Sequence, residues 1–227
     1  ARPTICTRPK PMNGLAEMRQ AVVDTGRQMI GRGLVAGTWG NISVRSSNGE
    51  QIAITPSGRP YDQLTPEDIV VVDSAGQILA GQRPSSELAL HLAIYHARTD
   101  VRAVVHTHSL YATACAVADK AIPASLEEMV QAVGGAVQVA TYALPGTVEL
   151  ANHAVAALAD RSAVLLANHG VAACGPSLAE ALLVAELVEK AAHIHVVAEQ
   201  LGGARELSDE DVALMRRFYL EHYRPGK

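Results

Sequence analysis

The sequence predicts an α/β layered domain: a mostly antiparallel central sheet flanked by helices. Three observations lead there. Short alternating runs broken by glycine turns fill the first third of the chain, apolar runs at 101–106 and 163–167 read as buried strands, and stretches with apolar residues at helical spacing separate them.

Leu15, Met18, Val22 and Met29 recur at helical spacing among charged residues, which predicts an amphipathic helix over 14–32 that Gly33 stops. After the loop Ala36-Gly37-Thr38-Trp39-Gly40, strands at 41–45 and 51–55 join around Asn48-Gly49. Strands at 69–73 and 77–79 repeat the pattern around Ala75-Gly76. From Ser85 the period changes: Ser85 or Ser86 caps a helix running to about residue 98, with Glu87 in its first turn. A buried strand at 101–106 follows, then helices at 109–118 and 125–133, a strand at 136–142 and a helix at 148–158 after Pro145-Gly146. After the strand at 163–167, Ser177 caps a long helix to about residue 200, Gly202-Gly203 ends it, and Ser208-Asp209-Glu210-Asp211 opens a last helix toward Tyr223.

Without a low-complexity break or an internal repeat, residues 14–227 read as a single domain. Residues 1–13 read as a flexible tail, for Arg2, Arg8 and Lys10 lie among three prolines with none of the apolar continuity of a secretory signal. A net charge of -4 with no basic run argues against nucleic acid and anionic membrane surfaces as partners. No apolar run approaches the roughly 20 residues of a spanning helix. Cys6, Cys115 and Cys174 are odd in number and far apart, with no CxxC pair, so no bridge is expected and a reduced, cytoplasmic setting is.

The chemistry concentrates in Val104-Val105-His106-Thr107-His108-Ser109. Positions i and i+2 of a strand share a face, so His106 and His108 can aim both imidazoles at one point. Glu87, opening a helix, and His169, in the Asn168-His169-Gly170 turn after a buried strand, offer two further ligands of the kind zinc takes. Taken alone, Glu87 reads equally well as a first-turn carboxylate facing the helix dipole, and His169 as a turn histidine. His193 and His195 form a second HxH pair, but inside a helix they point about 200° apart and cannot chelate together. His91, His96, His153 and His222 read as packing or surface residues. A double-sheet barrel of the cupin type also uses HxH, but with a glutamate a few residues on and almost no helix; here the next acidic residue is Asp119.

Gly37-Thr38-Trp39-Gly40-Asn41-Ile42-Ser43, Ile54-Thr55-Pro56-Ser57-Gly58, Pro84-Ser85-Ser86-Glu87, His106-Thr107-His108 and Asn168-His169-Gly170 stand in the order found in the class II aldolase and adducin family. The chain resembles that family over about residues 15–200, and most of all its L-fuculose-1-phosphate-type aldolases. The resemblance implies a homotetramer of C4 symmetry with the active site at a subunit interface. It implies zinc, with manganese or cobalt as alternatives, on His106, His108 and His169, and Glu87 as a catalytic acid/base that also reaches the metal. It further implies a sugar phosphate whose phosphate lies among Gly40, Asn41, Ser57, Gly58, Ser85 and Ser86, where hydroxyls, an amide and backbone N–H groups offer donors.

The implied reaction is cleavage of a ketose 1-phosphate to dihydroxyacetone phosphate and an aldehyde. The alternatives within the superfamily are a decarboxylase of a hydroxylated acid, a pentulose-phosphate 4-epimerase, or a non-catalytic adducin-like domain. Related epimerases carry Asp after the paired serines, so Glu87 leans toward cleavage. One departure stands out: in the fuculose-phosphate enzymes a tyrosine follows an Ile-Pro-Ala segment, whereas here Ile122-Pro123-Ala124 leads into Ser125-Leu126-Glu127-Glu128-Met129. A glutamate of that segment, or Tyr219 or Tyr223 reaching a neighbouring subunit, is the expected substitute.

Overall fold

In the computed structural model, which describes residues 14–224, α1 (Leu15–Gly31) buries Met18, Val22, Val23 and Met29 along the expected stripe. Two hairpins follow, β1 (Asn41–Arg45) with β2 (Gln51–Ile54) and β3 (Val70–Asp73) with β4 (Ile78–Ala80), turning at the expected glycines. Next come α2 (Leu88–Ala97), β5 (Ala103–Thr107), α3 (Leu110–Val117), α4 (Glu127–Val133), β6 (Val139–Ala140) and α5 (Val148–Leu158). The strands β7 (Ala163–Leu166) and β8 (Gly170–Gly175) precede α6 (Leu178–Gln200) and α7 (Asp209–Phe218), which widens into a π-helical turn over Tyr219–Tyr223.

All eight strands form one sheet in the order β4-β3-β2-β1-β5-β8-β7-β6, antiparallel at every junction except the parallel pair β6 and β7. The sheet is covered on both faces. Ala103 and Val105 of β5 point into a core with α1, α3, α4 and α6, whereas Val104 points into a second core with Leu90, Ile94 and Tyr95 of α2 and Leu150 and Leu158 of α5. The alternation of the strand therefore sends His106 to the same face as Val104, toward α2. That face is the one on which the site is built.

Three differences from expectation bear on the sheet and the site. β8 was not expected: its residues Gly170 and Val171-Ala172-Ala173-Cys174-Gly175 are too small to stand out as a strand, and the hairpin with β7 supplies the pairing that propensity does not. α2 begins after Glu87 rather than around it, because the Ser85 hydroxyl accepts the Glu87 N–H at 3.2 Å and closes a turn there. β6 pairs over two residues only, at the sheet edge.

The expected tail at 1–13, with Cys6, lies outside the described residues. Cys115 and Cys174 are buried free thiols. Burial pushes the Cys174 thiol up to about 12, which makes it an inert core residue. Among the described residues no helix is long and apolar enough to cross a membrane.

Candidate metal centre

β5 lies in the middle of the sheet between β1 and β8, with His106 opposite Asn41 on one side and Ala172 on the other. Its imidazole is fully buried, and Nδ1 donates to the Val171 carbonyl at 2.9 Å. That bond fixes the tautomer and leaves the Nε2 lone pair facing away from β8. His106 Nε2 lies 2.9 Å from His108 Nε2 and 3.1 Å from Glu87 Oε2, and His169 Nε2 lies 3.4 Å from Glu87 Oε1. The three rings meet edge-on, with centroids 4.8, 4.8 and 4.9 Å apart. One ligand atom from each of Glu87, His106, His108 and His169 falls within 4.8 Å of all the others. Three chain regions thus converge on a single point.

Local structure explains the convergence. The β7–β8 hairpin turns through Asn168, whose positive φ of +56° an asparagine tolerates better than most residues, and this aims His169 back over the end of β5. Gly170 follows because a Cβ there would run into the Thr107 carbonyl and stand 3.1 Å from the His108 ring. Gly40 has φ +80° and lies so near β5 that a Cβ would stand 2.6 Å from the His106 carbonyl oxygen. Both glycines let backbone approach where side chains would hold the histidines apart.

The electrostatics suit a cation. Burial, then the neighbouring histidines, push the His108 imidazole down to about 3, and burial with His106 pushes His169 down to about 4, so both are neutral lone-pair donors at neutral pH. Burial alone would raise the Glu87 carboxyl, but His106, His169 and the Asn41 amide outweigh it and hold the group well below the usual carboxylate range. Glu87 Oε1 is buried without a hydrogen-bond partner. Three imidazole nitrogens and one carboxylate, with that oxygen left over, fit a divalent metal such as zinc.

The cluster opens into a cavity of about 480 Å³. Gly40, Asn41, Ser57, Gly58, Ser85 and Ser86 all line it, together with Glu87, His108 and His169, while His106 lies beneath. Trp39 and Tyr142 are exposed on its wall. Sequence reasoning missed Tyr142, yet a signal for it exists in the topology: β6 runs parallel to β7, so the residues after both strands emerge at the same end of the sheet, Tyr142 after one and His169 after the other.

The residues expected to replace the missing tyrosine are elsewhere in the chain. Glu127 and Glu128 line a separate groove with Phe218, Tyr219 and Tyr223, and Glu128 pairs with Lys190. Tyr219 is 4% exposed, whereas Tyr223 is exposed. Of the histidines read as packing or surface residues, His96 bonds the Ser74 carbonyl and His153 the Thr141 carbonyl, while His222 stacks on Phe218. His91 is fully buried.

A layered sheet carries this histidine-carboxylate cluster at the end of its central strand, and the chain belongs to the class II aldolase family: the model of the Class II Aldolase and Adducin N-terminal domain matches residues 20–196. Over 201 residues it is 39% identical to L-fuculose phosphate aldolase of Escherichia coli (strain K12), covering 88% of this chain and 92% of that one. It is 42% identical over 195 residues to 5-methylthioribulose-1-phosphate/5-deoxyribulose-1-phosphate aldolase of Rhodospirillum rubrum, covering 86% and 85%. A solved structure of L-fuculose 1-phosphate aldolase superposes with a TM-score of 0.87 at 39% identity, over 90% of this chain and 96% of that one. The resemblance read from the motifs is thereby established as membership.

Proposed function

We propose that this chain is a metal-dependent aldolase that cleaves a ketose 1-phosphate, of the L-fuculose 1-phosphate type, to dihydroxyacetone phosphate and an aldehyde. The observation that carries the reading is the single point where Glu87, His106, His108 and His169 meet, at the base of a cavity walled by hydroxyls, an amide and glycine backbone. His106, His108 and His169 would hold the metal, with Glu87 beside it; zinc suits the donor set best, and manganese or cobalt would also be accepted. Such a cation supplies a Lewis acid for the ketose oxygens and a sink for the charge left by carbon-carbon cleavage.

The protein's own groups would do the rest. Ser57, Ser85, Ser86 and Asn41, with the backbone at Gly40 and Gly58, bind the phosphate and so fix the C3–C4 bond over Glu87. When that bond breaks, the C4 hydroxyl loses its proton as its carbon becomes the aldehyde, and the electron pair remains on C3. The Glu87 carboxylate, ionised at rest, takes up that proton and delivers it to C3, which completes dihydroxyacetone phosphate.

Both named relatives act on sugar phosphates with a 1-phosphate or unspecified phosphate position, which supports this substrate class. Exposed Trp39, Leu110, Val117, Leu144 and Val148 leave apolar area for assembly, which supports a homotetramer with the site at a subunit interface. Residues 14–227 would form a single catalytic domain, working in the cytoplasm.

The test is a retro-aldol screen of ketose 1-phosphates with zinc-loaded protein, coupled to triose-phosphate detection. Triose phosphate from at least one of them is expected, with Glu87→Gln retaining metal and losing about 10²–10⁴-fold in turnover. Carbon dioxide without triose phosphate would replace the reading by a decarboxylase. A protein that binds no metal would replace it by a non-catalytic use of the fold.

A further inference from the structure

His91 sits one helical turn after Glu87 and one before Tyr95, so these three share a side of α2, and that side faces Asn41 and Ser43 of β1. Their polar atoms form one chain. Asn41 Nδ2 donates to Glu87 Oε2 at 2.9 Å, His91 Nε2 meets Asn41 Oδ1 at 2.5 Å, Ser43 Oγ meets His91 Nδ1 at 2.6 Å, and the Tyr95 hydroxyl meets Ser43 Oγ at 2.7 Å. Asn41, Ser43, His91 and Tyr95 are each at most 4% exposed, so water does not substitute for any of these partners.

We infer that His91 is a positioning residue: as its Nε2–H tautomer it locks the Asn41 amide in the one orientation that donates to Glu87. This rests on the reading of Glu87 as the proton carrier. Donor accounting leads to it. An ionised carboxylate only accepts, so the Asn41 nitrogen must face Glu87 and the Asn41 oxygen must face His91. His91 Nε2 is then the donor and Nδ1 the acceptor of the Ser43 hydroxyl hydrogen, while Ser43 accepts from Tyr95. Each hydrogen points along the chain toward Glu87, an arrangement in which successive bonds polarise one another. A flipped Asn41 would press its oxygen against the carboxylate and its NH₂ against the Nε2–H, so His91 opposes the flip at one end while Glu87 opposes it at the other. Burial pushes the His91 imidazole down to about 3, and His106 adds to the shift, so the ring does not switch to the doubly protonated form near neutral pH.

The experiment uses the zinc-loaded protein and two variants, His91→Met, which keeps bulk and removes the donor, and His91→Gln, whose amide restores an N–H near the Nε2 position. His91→Met should lower kcat about 10–100-fold, the range typical of a lost outer partner, with metal content within about twofold of the parent. His91→Gln should recover at least about tenfold of that loss. Histidine ¹⁵N NMR of the unmodified protein should show His91 protonated on Nε2 and not on Nδ1. Proton occupancy on Nδ1, or a parental kcat in His91→Met beside an inactive Glu87→Gln, would overturn the inference and leave the aldolase reading standing. Should His91→Met fail to fold, the NMR result and the His91→Gln kcat decide. If the unmodified protein cleaves no ketose phosphate, the aldolase reading fails, and the His91 tautomer and the Asn41 orientation are still read from the NMR.

Discussion

The chain contains the same three-residue pattern twice, His106-Thr107-His108 at the end of β5 and His193-Ile194-His195 within α6. The strand places its two rings on one face, with Nε2 atoms 2.9 Å apart. The helix splits its pair: His193 stacks flat on Tyr111 at 3.8 Å, while His195 turns toward Glu199, 3.7 Å from Oε1. Identical spacing yields a chelating pair in one element and two unrelated side chains in the other, because side chains repeat every second residue in a strand and about every 100° in a helix. A metal-binding pattern therefore has meaning only together with the period of the segment that carries it.

The sharpest way to break this comparison is to remove one histidine from each pair. His106→Ala should reduce metal affinity by more than about 100-fold, beyond the loss usual for an outer partner, and abolish turnover. Metal content after gel filtration, with circular dichroism to confirm folding, measures it. Near-stoichiometric metal in a folded His106→Ala protein would show that the strand pair is packing, no different in kind from the helix pair.

A second substitution tests what the strand pair needs from its surroundings. Gly170→Ala would set a methyl group against the Thr107 carbonyl and the His108 ring, forcing the β7–β8 turn away from β5. Metal affinity should fall about 10–100-fold, with a stability loss of about 1–3 kcal/mol from overpacking. Titration with zinc and thermal unfolding of the metal-free protein give the two numbers separately. Unchanged zinc affinity would mean that His169 is placed by something other than this close approach.

How legible all this was in the sequence follows the same line. The strand period of 101–106 was plain because Val101, Val104 and Val105 are apolar and β-branched, and it alone told His106 and His108 apart from His193 and His195. Glu87 and His169 needed the family resemblance, since one lies in a turn before α2 and the other in a hairpin turn, and no local period says where a turn residue points. β8 escaped notice because glycine, alanine and cysteine carry little strand preference, although β8 supplies the carbonyl that sets the His106 tautomer. His91 was read as packing, which its burial supports, but its partners Asn41 and Ser43 lie about 50 positions earlier and only the pairing of β1 against α2 brings them into register. What sequence reads well is direction along one element; what it reads poorly is which two elements will meet.

The smallest expected effect is in the helix pair. His193→Ala removes a stack on Tyr111, and aromatic pairs are worth about 0.5–1.5 kcal/mol; the exposure of His193 places the loss at the lower end. Tyr111 lies in the first turn of α3, which begins two residues after His108, so the stack links His193 of α6 to the helix that follows the metal-site strand. That link is backed up independently, because Glu189 of α6 already accepts the Tyr111 and Ala112 N–H groups at 2.9 and 2.8 Å and pins the start of α3. Metal stoichiometry and turnover should therefore be unchanged in His193→Ala, with thermal unfolding showing only the small stability loss. If instead metal were lost, Tyr111 would be transmitting the position of α6 to His108, and the two pairs would be parts of one device.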